Sequence, residues 1–134
     1  MAPEDSSVGS EGQKRTLLVV EDNDLAREGL AVLLRRQGYH VVPAADGQQA
    51  LALLHAGPPP DLILLDMLMP VLDGWHFLSR LKGLPAGSAP VVVTTGTILT
   101  REWAAQNGCA GFLRKPIEED ELLDEVNRLL AAPD

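Results

Sequence analysis

Short runs of apolar, mostly β-branched or leucine residues alternate along the chain with longer segments whose apolar positions recur every three to four residues. The runs fall at 16–20, 40–44, 62–65, 91–94 and 111–113. Each is flanked by polar or turn-forming residues, the mark of short buried strands. Helical spacing occupies 25–37, 48–55, 75–82, a brief stretch at 101–107, and 120–130. In the last of these, Leu122, Leu123, Val126, Leu129 and Leu130 fall at i, i+1, i+4, i+7 and i+8 and form one stripe. Gly38, Gly57 and Gly108 stand where helix C-termini are expected, and Asp24, Asp46 and Thr100 where N-caps are. The result is a strand-helix unit repeated five times.

Strands that are apolar on both faces and alternate with helices predict an α/β fold, a parallel sheet covered on each side. Right-handed crossovers restrict it to a few doubly wound arrangements. The length of 134 residues, with 46% hydrophobic content, suits one domain with one sizeable core. Residues 1–14 are rich in Ser, Gly and acids and predict a mobile tail ahead of a domain at 15–134. A formal net charge of −8 disfavours contact with phosphate backbones or anionic membrane surfaces. The lone cysteine, Cys109, excludes an internal disulfide and reads as a small packed apolar residue. No run is long enough to span a membrane, and no leader pattern opens the sequence, so the expected location is cytoplasmic.

In doubly wound sheets, ligands bind beyond the carboxyl ends of the strands, at the switch in winding direction. The residues there are Glu21 and Asp22 after the first strand, Asp66 after the third, Thr95 after the fourth, and Lys115 with Pro116 after the fifth. Taken singly, each has an ordinary explanation: a loop carboxylate capping backbone N–H groups, an acidic lead-in to a helix, a β-branched strand residue, an exposed turn lysine. Jointly they place three carboxylates, a hydroxyl and an ammonium at one crevice. Three like charges in a partly enclosed site repel one another unless a cation joins them, and hard oxygen donors suit Mg²⁺.

The stretches LLVVEDN (17–23), DLILLDMLMPVLDG (61–74), APVVVTTG (89–96) and GFLRKPIEEDEL (111–122) resemble the response-regulator receiver domain of two-component signalling. The resemblance covers 15 to about 131 and implies the flavodoxin-like strand order 2-1-3-4-5. It implies that Asp66 is the phospho-acceptor. It further implies that Asp22 and Asp66 ligate Mg²⁺ directly, that Glu21 acts through a coordinated water, and that the Leu68 backbone carbonyl supplies another oxygen. By the same resemblance, Lys115 pairs with Asp66 and later with the phosphoryl group, the bond to Pro116 is cis, Thr95 hydrogen-bonds the phosphoryl group, and Phe112 is the aromatic switch residue.

The expected function is acceptance of a phosphoryl group from a histidine kinase or phosphotransfer protein. Output would run through the face made by the fourth helix, fifth strand and fifth helix to another protein, because only 131–134 follow the last helix. The protein would not be an enzyme in the ordinary sense.

Several positions refine the expectation. Thr95 and Lys115 are close in sequence, so the fourth helix should have about two turns. Trp103 on it either packs inward, the favoured reading, or anchors an interface. Met67 and Leu68 suggest an apolar rim that shields an acyl phosphate and slows its hydrolysis. Asp73 with Gly74 suits the turn into the third helix. Two alternatives remain: an interaction module that works without phosphorylation, and a Mg²⁺-dependent phosphatase with an aspartyl-phosphate intermediate. The phosphatase class usually carries a second aspartate two positions after the nucleophile, where this chain has Leu68.

Overall fold

The computed structural model describes residues 14–68, 73–96 and 98–131. Nearly all of the tail expected at 1–14 lies outside the described residues. Within them the chain runs β1 (Thr16–Val20), α1 (Asp24–Arg36), β2 (His40–Ala44), α2 (Gly47–Ala56), β3 (Leu62–Asp66), α3 (Gly74–Leu81), a 3₁₀ turn (Pro85–Ser88), β4 (Val91–Thr95), α4 (Arg101–Gln106), β5 (Gly111–Arg114) and α5 (Glu119–Leu130). The elements match the apolar pattern, with ends shifted by a residue or so. The 3₁₀ turn has no periodic signal and was not foreseen.

All strand pairs are parallel and the order is β2-β1-β3-β4-β5, the flavodoxin-like arrangement. Strand side chains alternate between two cores. Leu18, Val20, Ile63, Leu65, Val93 and Phe112 pack on one face with Leu51, Leu54, Phe77 and Ala104 from α2, α3 and α4. Leu17, Val19, Leu62, Leu64, Val92 and Leu113 pack on the other with Leu34, Leu122 and Val126 from α1 and α5. Burying each such aliphatic side chain contributes roughly 1.5–3 kcal/mol, so these two layers hold the sheet rigid beneath the site. β2 is an edge strand, which accommodates Pro43 because one side of it needs no ladder donor.

Two caps behave as expected: the side chains of Asp46 and Thr100 accept from the backbone N–H of Gln49 and Trp103. At α1 the expectation of Asp24 is corrected. The cap is Asn23, whose Oδ1 accepts from Ala26 N–H, while Asp24 lies inside the first turn and pairs with Arg27 at 2.6 Å. Both residues suit the position chemically, and the earlier one is where the backbone is still extended. Gly38 and Gly108 adopt positive φ after α1 and α4, a conformation L side chains resist.

Candidate functional site

Because β1 and β3 are neighbours in register, with Val20 beside Leu65, the residues that follow them emerge together at the carboxyl edge of the sheet. Glu21 and Asp66 are almost fully buried, at 1% and 3% exposed, whereas Asp22 is open to solvent. One carboxylate oxygen from each of Glu21, Asp22 and Asp66 lies within 4.8 Å of the others.

Each acid is held by a different partner. Glu21 Oε2 accepts from Asn23 N–H at 3.1 Å, and its carbonyl accepts from Arg27 Nη1 at 2.9 Å. Asp66 Oδ1 accepts from Leu68 N–H at 3.2 Å. Lys115 Nζ reaches both buried acids, at 2.9 Å from Glu21 Oε1 and 3.5 Å from Asp66 Oδ2. The expectation that Lys115 pairs with Asp66 is therefore refined: the ammonium, arriving from the end of β5, reaches past Asp66 on β3 and makes its shorter bond to Glu21 at the end of β1.

Electrostatics follow from this geometry. Burial, reinforced by the negative charge of Glu21 and the Asp22 contact, pushes Asp66 up to about 7, although Lys115 and the Leu68 N–H act in the opposite direction. Burial works against the Lys115 ammonium, but its hydrogen bond to Glu21 and the charges of Asp66 and Glu21 outweigh that and hold its pKa above the ordinary lysine value. Two buried carboxylates and a third at the mouth face one ammonium, so the crevice is short of positive charge. A hard divalent cation that accepts carboxylate oxygen fits this donor set.

The other expected residues take definite places. Thr95 ends β4, 1% exposed, with its carbonyl accepting from Lys115 N–H at 2.8 Å. The Lys115–Pro116 peptide is cis. Phe112 is buried in the core shared with α2, α3 and α4, with the Arg114 and Arg101 guanidinium carbons 5.2 and 5.9 Å from its ring centroid. Trp103 is half-buried against the same core, in an edge contact with Trp75 at 5.8 Å between centroids. Asp73 caps α3 by accepting from His76 N–H. Cys109 is buried.

The apolar rim needs correction. Leu68 is exposed, but Met67 is fully buried, its side chain turned into the core against Gly74. Met67 directly follows the strand residue Asp66, and the period of two sends its side chain away from the crevice.

Sequence reasoning did not single out Asn23, Arg27 or Trp75. The first two are legible only as a helix start; their carboxylate and carbonyl partners depend on how Glu21 turns.

The response regulator receiver domain family model matches residues 17–127. PilH of Pseudomonas aeruginosa is 30% identical over 86% of this chain and 97% of its own. A putative response regulator from Chloroflexus aurantiacus superposes with a TM-score of 0.80 at 33% identity, covering 90% of this chain and all of the other. The receiver domain of the P. aeruginosa sensor histidine kinase PA1611, described with a magnesium ion coordinated in its active site cleft, superposes at 0.79 with 31% identity over 89% and 99% of the two chains. The chain spans about half the length of several other curated relatives it matches. It belongs to the response regulator receiver domain family. No helix among the described residues is long and apolar enough to cross a membrane.

Proposed function

We propose that the protein accepts a phosphoryl group on Asp66 from a phosphohistidine of a histidine kinase or phosphotransfer protein, and passes the signal on by protein contact. The observation that carries this is the convergence of Asp66, Glu21, Asp22 and Lys115 at the carboxyl edge of the sheet. An Asp66 oxygen attacks phosphorus, the new O–P bond forms as the donor P–N bond breaks, and the imidazole leaves with the bonding electron pair. No redox partner is needed. Lys115, already within 3.5 Å of the acceptor, follows the transferred group with a compact charge on a flexible stem. Thr95 at the end of β4 offers its hydroxyl to a phosphoryl oxygen.

Glu21, Asp22, Asp66 and the Leu68 carbonyl would hold Mg²⁺. When bound, it supplies positive charge that keeps the acids ionised and balances the phosphoryl oxygens. The protein thus assists its own modification and is not a turnover enzyme.

A cleft of about 430 Å³ next to Glu21 and Lys115, lined also by Ala26, Leu30 and Ile117, offers a donor protein a docking surface on the α1 side of the site.

Intact mass after incubation with acetyl phosphate tests the reading. One phosphoryl group should add in Mg²⁺ and not in chelator, and Lys115→Ala should slow the addition about tenfold or more. No gain under conditions that label another receiver domain would favour a module that works without phosphorylation.

A further inference from the structure

β5 closes one edge of the sheet, so its outer backbone groups have no strand to pair with. A buried backbone N–H or C=O left there unpaired is costly. At Phe112 both are taken by side chains. Glu125 of α5 accepts from Phe112 N–H at 3.0 Å, and Arg101, the first residue of α4, donates to Phe112 C=O at 3.2 Å. The two side chains also pair with each other at 3.3 Å, so together they replace one rung of a missing sixth strand.

Glu125 is only 8% exposed, on the stripe of α5 that also carries Leu122 and Val126. Arg128 makes a second ion pair with it at 3.1 Å. Burial works against the carboxylate, but the Phe112 N–H and the two arginines outweigh that and hold its pKa below the usual glutamate value. Gly111 is what makes room for it. A Cβ there would stand 2.5 Å from Glu125 Oε2.

Glu125 therefore joins three elements through one carboxylate. One backbone bond and one from a side-chain guanidinium continue from β5 to the acidic site and the approach to α4. Lys115 N–H bonds the Thr95 carbonyl, and Arg114 bonds the carbonyl of Leu99 in the approach to α4. Arg101 begins that helix and grips Phe112 by its carbonyl and its ring face.

We propose that Glu125 is a positioning residue for signal output, the tie through which a change at Asp66 and the β4–α4 connection reaches α5. The proposal rests on phosphorylation of Asp66. A shift of α4 that drags Arg101 must either carry the Glu125 carboxylate with it or break the pair, and in both cases α5 is affected.

The test is an amide NMR comparison of isotope-labelled wild type, Glu125→Gln and Arg101→Gln, before and after acetyl phosphate with Mg²⁺, with the labelled fraction of each sample read by mass. Glutamine keeps an acceptor for Phe112 N–H and removes the charge. Arg101→Gln cuts the same tie from the α4 side should the first variant fold poorly. In wild type, phosphorylation should shift the amides of both Phe112 and α5 residues such as Val126 and Arg128. At equal labelled fraction, the α5 shifts should fall below about a third of wild type in either variant while the Phe112 shift persists. Undiminished α5 shifts in folded, labelled variants overturn the proposal and leave the phosphoryl reading intact, as do α5 amides that stay still in labelled wild type. No mass gain in wild type overturns the phosphoryl reading, and this proposal with it.

Discussion

Asp66 sits where a carboxylate is uncomfortable, and that discomfort has measurable consequences. In the folded chain its pKa is about 7, against 3.8 for an unperturbed aspartate. Between those values the folded state holds a proton that the unfolded state has lost, so stability falls as pH rises through that window and the full cost is felt above pH 7. Asp66→Asn should therefore raise the unfolding free energy by roughly 1–3 kcal/mol at about pH 8 without divalent metal, and by much less near pH 5. Denaturant titration at the two pH values measures both. An equal effect at both would show that burial and Glu21 do not strain this carboxylate. Glu125 has the opposite sign. Its depressed pKa gives stability that is present above the usual glutamate value and is lost as pH falls through the folded one. This residue was not legible in the sequence, because a glutamate among acids in an amphipathic helix reads as solvated. Its place three residues after Leu122 and next to Val126 was the available signal. Met67 was misplaced for a related reason: adjacency to Asp66 along the chain says nothing of the face on which a strand residue lands.

The elements were far more legible than their caps and contacts. Five apolar runs and five helical segments specify the parallel sheet, since strands apolar on both faces need a layer of helices on each side. What the pattern does not encode is how neighbouring helices meet. Trp75 lies in the first turn of α3 and Trp103 in the short α4, and their edge contact bridges the two helices. A double-mutant cycle with Trp75→Ala and Trp103→Ala should give a coupling of about 0.5–1.5 kcal/mol in unfolding free energy. Strict additivity would mean that the two rings touch without supporting α4. At the start of α3, Gly74 permits close approach to the acceptor strand: a Cβ would lie 2.5 Å from Met67 Sδ and 2.8 Å from its Cα. Gly74→Ala should cost about 1–3 kcal/mol, seen as a lower Tm, because backbone and not only a flexible side chain must yield.

At the scale of the whole molecule, sequence reasoning read the site from strand order: four separate segments, at the ends of β1, β3, β4 and β5, deliver Glu21, Asp22, Asp66, Thr95 and Lys115 to one edge. It could not read which acid Lys115 prefers, since that depends on how far the side chain extends from the end of β5 towards β3 and β1. A net charge of −8 and this acidic crevice supply the hard oxygen donors that a divalent cation takes. A cation that binds the folded chain alone stabilises it by mass action. Millimolar Mg²⁺ should raise the Tm of wild type by a few degrees and leave Asp22→Asn nearly unmoved. Equal shifts in both would place the bound ion elsewhere.

The central claim is that Asp66 is the phosphorylated atom group, and it is tested most directly by trapping the acyl phosphate. Protein treated with acetyl phosphate and Mg²⁺ is reduced with borohydride, digested and mapped by mass spectrometry. Reduction of an aspartyl phosphate yields homoserine, expected at position 66 alone. Homoserine at another acid, or none despite a phosphoryl mass gain, would contradict the account.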